Sequence, residues 1–189
     1  MIRTAFLTLL ALVVTLIVVG FFLPRETVIE RERVIDQPEA VTFDALADLR
    51  RFQHWSPWFD HMTEPDIRFE GLPGEVGSTL VWSDQRSGAD GRMWIVGLSR
   101  PDRIDLDLEL GENEAEVYFL VADEAGSRSR VRWGMQVEFG ALDLVGRYAG
   151  LLLPRLVGRD YDEGLERLEL YLAENSADAR SDAFPEGGN

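Results

Sequence analysis

Between Arg103 and Leu110 the chain alternates without a break. Ile104, Leu106, Leu108 and Leu110 take one parity, and Asp105, Asp107 and Glu109 take the other. Successive side chains on a strand point to opposite faces, so this stretch buries one face and wets the other. That is the pattern of an antiparallel sheet with one covered side. Residues 66–70, 78–83, 91–98, 115–122 and 129–139 read as further strands. Turn residues such as Gly71-Leu72-Pro73-Gly74, Arg100-Pro101-Asp102 and Glu124-Ala125-Gly126-Ser127 separate them. In the last strand Val131, Trp133, Met135 and Val137 face one way, while Arg130, Arg132, Gln136 and Glu138 face the other. The connections are too short for parallel crossovers, so the strands run antiparallel. A further strand, residues 27–35, precedes them.

Helical segments sit between the first strand and the rest, and again at the end. Asp36-Gln37-Pro38-Glu39 is a helix start, with proline in the first turn and an acid favouring the dipole. Val41, Ala45 and Leu49 repeat every four residues, with Phe43 and Leu46 beside them, and a brief second helix carries Phe52 and Trp55. That helix must end at Ser56, because Pro57 drives its predecessor out of helical angles. Phe52, Trp55, Trp58 and Phe59 therefore crowd four rings around one turn. Near the C-terminus, residues 142–153 are apolar and helical in character until Pro154 breaks or kinks them. Beyond it Val157, Tyr161, Leu165, Leu168 and Leu172 form a stripe opposite Asp162, Glu163, Glu166 and Glu169. This predicts a final helix of about 18 residues. Gly164 lies on the stripe at a helical cost of about 1 kcal/mol against alanine, which implies close approach to the sheet or room for a ligand. From Asn175 the periodicity fades, and residues 175–189 are expected to be a disordered tail.

Residues 4–23 hold no charge and no proline. At about 1.5 Å per residue such a helix reaches roughly 30 Å, the thickness of a bilayer's hydrocarbon core. A cleaved signal peptide is the competing reading, but its apolar part normally runs about 7–15 residues. The length favours an uncleaved single-pass anchor, residues 1–24. Orientation stays open: the basic flank after the span points that flank to the cytoplasm, whereas a four-residue N-terminal tail resembles an exporting signal anchor. Every one of the 19 basic residues is arginine, and 34 acids leave a net charge of −15. An acidic chain does not suit a nucleic-acid partner, and anionic lipid headgroups repel it. With no cysteine, disulfides and thiolate chemistry are excluded. His54 and His61 are the only histidines, and no convergent set supplies the three or four ligands zinc needs. No metal or cofactor is expected.

The order strand, two short helices, six antiparallel strands and long helix is the helix-grip plan. The landmarks are Gln37-Pro38-Glu39 with Val41 and Phe43, Trp55-Ser56-Pro57-Trp58, Gly74-x-x-Gly77, Trp133-Gly134-Met135, and Gly158-x-x-Tyr161-x-x-Gly164-Leu165. On these, residues 25–174 resemble the SRPBCC superfamily of START-like and polyketide cyclase/dehydrase-type proteins. The resemblance implies an α+β fold in which a seven-stranded curved antiparallel sheet grips the last helix around an apolar cavity. It also implies an N-terminal anchor in some branches. The superfamily spans lipid carriers, hormone binders, aromatase/cyclases and chaperone activators, so fold alone does not choose among them.

Given that fold, Trp55, Trp58, Phe59, Trp82, Trp94, Phe119, Trp133, Tyr161 and Leu165 are the candidate ligand-binding residues. The competing reading is ordinary core, above all for Trp55 and Trp58, which can plug the gap between the short helices and the sheet. Pockets for small molecules are mostly apolar with a few polar groups. No nucleophile-plus-base constellation and no phosphate-binding glycine loop stands out. The leading expectation is a membrane-tethered binding or carrier domain for a hydrophobic small molecule, lipid or isoprenoid-like. The alternatives are a cofactor-independent cyclase or hydrolase, and an adaptor domain that binds a protein. Residues 151–153 are candidates for a lid at the cavity mouth.

Overall fold

The computed structural model describes residues 2–60, 62–84, 86, 88–111 and 113–183. Among these, seven strands form one antiparallel sheet: β1 (Glu26–Ile35), β2 (Asp66–Glu70), β3 (Thr79–Ser83), β4 (Gly91–Ser99), β5 (Arg103–Leu110), β6 (Asn113–Glu124) and β7 (Arg128–Glu138). Their order is β1-β7-β6-β5-β4-β3-β2, so the first two strands of the chain lie at opposite edges. The helices α2 (Glu39–Ala47) and α3 (Leu49–Trp55), followed by a 3-10 turn (Pro57–Phe59), bridge that distance across one face. The expected α+β helix-grip architecture is the one observed.

The inner face is set by the alternation legible in the sequence. Leu80, Met93, Ile95, Ile104, Leu106, Leu108, Val117, Phe119, Val131 and Trp133 are all buried on it. A bulge between Ile95 and Gly97 shifts the β4–β5 register, a device that bends and twists a strand. α2 is tied to β7 by a buried hydrogen bond of 2.8 Å, donated by Ser129 Oγ to Thr42 Oγ1.

The C-terminal helix differs from expectation in length. α5 runs from Leu153 to Ala183, 31 residues instead of about 18. At its start, Pro154 occupies the first turn, where a missing N–H costs nothing, so it opens the helix after the short α4 (Leu144–Gly150). At its end, the helix continues through the stretch assigned to a tail, and residues 184–189 lie outside the described residues. Fading amphipathicity marks where a helix leaves the core, and it does not by itself end the helix.

Tyr161, Leu165, Leu168 and Leu172 are the buried stripe of α5. Gly164 lies between them for steric reasons: a Cβ there would stand 2.7 Å from the Trp133 ring and 3.2 Å from Pro57 Cδ. Two ion pairs fasten α5 to the edge strand, Arg31 Nε to Asp162 at 2.9 Å and Arg33 Nε to Glu169 at 2.7 Å. The Arg31 guanidinium lies where a Cβ on Gly158 would be.

On the outer face, Tyr118 of β6 reaches over Gly134 of β7 and donates to Glu30 of β1. A Cβ on Gly134 would fall 2.1 Å from the Tyr118 ring. Burial, and then the Glu30 carboxylate, push the Tyr118 phenol up to about 12. Arg130 and Arg132 both bond Glu32 and hold its carboxyl below the usual range.

The N-terminal helix α1 (Ile2–Phe22) packs on α4 through its last turns. Tyr148 Oη donates to the Leu16 carbonyl at 2.7 Å. Arg147, 1% exposed, donates to Gly20 and Phe21 carbonyls at 3.5 and 3.4 Å, and to Gly140 and Ala141 carbonyls at 3.2 and 2.7 Å. A cation at a helix C-terminus meets the negative end of its dipole. The rest of α1 is bare: of its apolar window, 6% is buried.

Two expectations follow. Gly164→Ala gains about 1 kcal/mol of helix propensity but overpacks a site whose neighbour Trp133 is fully buried, at about 1–3 kcal/mol. Chemical denaturation of the full chain should therefore show a net loss of up to about 2 kcal/mol, not a gain. Tyr118 is favoured neutral in the folded state, so its contribution is complete below the ordinary value of 10.0 and is lost as pH rises through about 12. The denaturation midpoint should fall over that interval, and fall less in Tyr118→Phe.

Candidate functional site

The aromatic turn is built from its own residues. Ser56 Oγ accepts from the Trp58 backbone N–H at 3.3 Å, and Pro57 occupies the first position of the 3-10 turn. Trp55 and Trp58 are thereby sent in different directions. Trp55 is 1% exposed and packs edge-on against Phe52, Phe119 and Trp133 at 4.9, 6.2 and 5.4 Å. It is the plug between the short helices and the sheet. Trp58 is half-buried and leans on Trp133 and Tyr161 at 5.8 and 6.3 Å, with its other side toward open space.

That space is an open-mouthed cavity of about 500 Å³ bounded by the 3-10 turn, the inner face of the sheet and the first turns of α5. Pro57, Trp58, Met62, Trp82, Leu108, Leu110, Met135 and Val157 supply its apolar wall. Gly88, Ala89, Asp90, Gly111 and Asp160 complete its rim, and both carboxylates there are exposed. Trp82 turns its ring over Gly91, its partner in register, where a Cβ would stand 2.4 Å from the ring. The wall carrying Trp58 is clipped to α5 by Arg167, which bonds Asp60 at 2.6 Å and Glu163 at 2.5 Å. These carboxylates, Asp60 first, hold the Arg167 guanidinium above its ordinary value.

Of the nine candidate residues, Trp58 and Trp82 line the cavity. Phe59 stands behind Trp82 at 5.8 Å, edge to face. Trp55, Phe119, Trp133, Tyr161 and Leu165 form the packed interior behind Trp58. Trp94 belongs to the other face of the sheet, because the buried Met93 and Ile95 on either side of it take the inner positions. There Arg92 covers the Trp94 ring at 4.6 Å. Trp94 also borders a depression of about 350 Å³ lined by Asp107, Glu109, Glu114, Glu116 and Glu138, which suits no apolar ligand. Among the described residues no group of acids and histidines is arranged to hold a metal, and His61 lies outside them. Leu108 and Met135 could have been found from alternation alone. Val157 could have been found from the helical stripe it opens, whereas Met62 and Ala89 could not, since loops carry no period that aims a side chain.

Behind Trp58 the interior is polar in an unusual way. Trp133 and Tyr161 stack with centroids 3.8 Å apart and planes 10° from parallel. Trp55 Nε1, Trp133 Nε1 and Tyr161 Oη are buried without a hydrogen-bond partner among the described residues. Desolvation pushes the Tyr161 phenol far above its ordinary value, so it is a neutral hydroxyl at any working pH.

The family described as polyketide cyclase / dehydrase and lipid transport matches residues 26–173, and the chain belongs to it. No curated protein sequence matches. Among solved structures, a START superfamily protein from Mycobacterium smegmatis is similar at 12% identity and a TM-score of 0.56, covering 78% of this chain and 98% of its own. Norcoclaurine synthase from Thalictrum flavum, solved with dopamine and hydroxybenzaldehyde, is similar at 10% identity and a TM-score of 0.58, covering 82% of this chain and 91% of its own. An uncharacterised protein from Rhizobium leguminosarum reaches 19% identity and a TM-score of 0.50, over 79% and 95%. At these identities the likeness is one of fold.

The orphaned phenol carries a prediction. Tyr161→Phe removes a buried hydroxyl without a partner while keeping the ring stack. The full chain should gain up to about 1 kcal/mol in urea denaturation. A loss of that size would mean that the hydroxyl has a partner.

Proposed function

We propose that this member of the polyketide cyclase / dehydrase and lipid transport family is a membrane-tethered binding or carrier protein. Its ligand is a hydrophobic small molecule, a lipid or isoprenoid-like compound, held in the cavity beside Trp58 and Trp82. The observation that carries this reading is the cavity itself, about 500 Å³ with an apolar wall and charges only at its rim. Small-molecule pockets fall at about 300–1,000 Å³ with this kind of lining.

The tether is residues 1–24, with residues 25–174 as the binding domain. The helix segment Arg3–Phe22, of mean hydropathy 2.8, is long and apolar enough to cross a bilayer by length and composition. A signal sequence passes the same test, and retention is favoured by Arg147. Cleaving α1 would take away two of the four carbonyls that the Arg147 guanidinium bonds, and hydrogen bonds to charged groups are among the stronger ones. The protein is then a single-pass membrane protein, with either side open to the soluble domain.

Catalysis by a cyclase or hydrolase route needs an acid or base positioned inside the cavity. The lining carboxylates, Asp90 and Asp160, stand exposed at the rim, and the Tyr161 phenol is shut behind Trp58. Binding is therefore favoured over turnover.

Native mass spectrometry of the full chain, released from polymer-bounded membrane discs, tests the reading. A bound apolar species is expected in the parent. Val157→Trp, which fills the cavity from α5, should weaken its retention about tenfold, or about 1.4 kcal/mol. An empty parent, or a Val157→Trp chain that retains the species equally well, overturns it.

A further inference from the structure

The contact between α1 and α4 fixes how deep the domain sits. Tyr148 bonds the carbonyl of Leu16, and Leu144 lies within 3.4 Å of where a Gly20 Cβ would be. Leu16 is seven residues before Leu23, the end of the uncharged run. At about 1.5 Å per residue, α4 therefore lies alongside the last ~10 Å of that run. Lifting α4 clear of the bilayer would leave residues 4–15 to cross it, roughly 18 Å against the roughly 30 Å required. An embedded α1 brings α4 into the membrane with it.

The surface of α4 suits that depth. Leu142 and Val145 are 82% and 81% exposed, and Leu151, Leu152 and Leu156 at the α4–α5 corner are exposed as well. Residues 139–152 contain two charges, Asp143 and Arg147. Arg147 is buried and covered by carbonyls, while Asp143 stays exposed at the start of α4 and caps it, accepting from the Gly146 backbone N–H at 2.8 Å. Val157, the neighbour of Leu156, is already cavity wall.

We infer that α4 and the first turn of α5 form a foot that inserts into the bilayer at the headgroup–acyl boundary. Leu142, Val145, Leu152 and Leu156 enter the lipid, and the cavity wall at Val157 adjoins them. The occupant is the lipid itself, and attachment is apolar, since a net charge of −15 gives anionic headgroups nothing to attract. Interfacial helices bury such a face about 5–10 Å into the boundary. This rests on the anchor reading above.

The chain has no cysteine, so single cysteines report position cleanly. The full chain is reconstituted in phosphatidylcholine vesicles with an environment-sensitive label at Val145→Cys, Leu152→Cys, Leu12→Cys or Leu72→Cys. Leu72 is exposed in the turn between β2 and β3, at the sheet edge farthest in order from β1. The inference expects blue-shifted emission at 145 and 152, quenched by lipids carrying a nitroxide near the headgroup. Leu12→Cys should be quenched by a deep nitroxide, and Leu72→Cys by neither. Aqueous emission at 145 and 152 with Leu12 deep overturns the foot and leaves the anchor standing. Aqueous emission at Leu12 as well overturns both. Shielding at 145 and 152 that no lipid quencher reaches assigns the face to a protein partner, and likewise overturns the foot.

Discussion

The structure depends on one face-to-face contact, the stack of Trp133 on Tyr161. It is where the middle of the sheet's long final strand meets the long helix, and each ring is fully buried. A ring pair at 3.8 Å leaves no room for a side chain alongside, which is why Gly164 follows Tyr161 by three residues. The glycine's helical cost of about 1 kcal/mol is offset by the apolar area the two rings bury, at about 25 cal/mol per Å². Phe52 and Trp55 then close the stack from the short helices, and Trp58 closes it from the turn. The cavity exists because the aromatic packing stops there. Its floor is the outer side of Trp58, not a gap in the core.

The edge strand β1 supplies the second constraint. Its Glu30-Arg31-Glu32-Arg33 run looks like an undifferentiated charged flank, yet the period of two sorts it completely. Arg31 and Arg33 point inward to acids of α5, while Glu30 and Glu32 point outward to Tyr118, Arg130 and Arg132. Each exposed pair is worth little by itself. Together they specify register, because a slip of one residue would bring Glu30 and Glu32 against the acids of α5. Charges along an edge also discourage pairing with another sheet.

This explains what was legible in the sequence and what was not. Alternation marked β5 and β7, where burial on one face imposes it locally, and turn residues bounded the other strands, β2 among them with no buried residue. The side that Trp94 occupies was equally available from Met93 and Ile95, but an aromatic residue in a cavity-bearing fold invites an inward assignment. The length of α5 was hidden because its sequence keeps no apolar stripe beyond Leu172. The division of labour between Trp55 and Trp58 depends on the angle of a three-residue turn, which no periodicity encodes. The link from Arg147 to Gly20 spans 127 positions and joins two segments that each read as self-sufficient.

That link changes what the N-terminal helix is for. A flexible leash would let the domain drift, since about 5–6 Å × √n is the reach of a loose linker of n residues. Here two residues of α4, Arg147 and Tyr148, hold the carbonyls of Leu16, Gly20 and Phe21, and β1 begins at Glu26. The guanidinium is covered on one side by α1 and on the other by the Gly140–Ala141 turn, so it bonds the two segments to each other. Height and tilt of the domain are thereby coupled to the helix. On α5 the exposed Leu156 adjoins Val157 of the cavity wall, and under the proposed tether that corner is where a hydrophobic ligand would pass between bilayer and cavity.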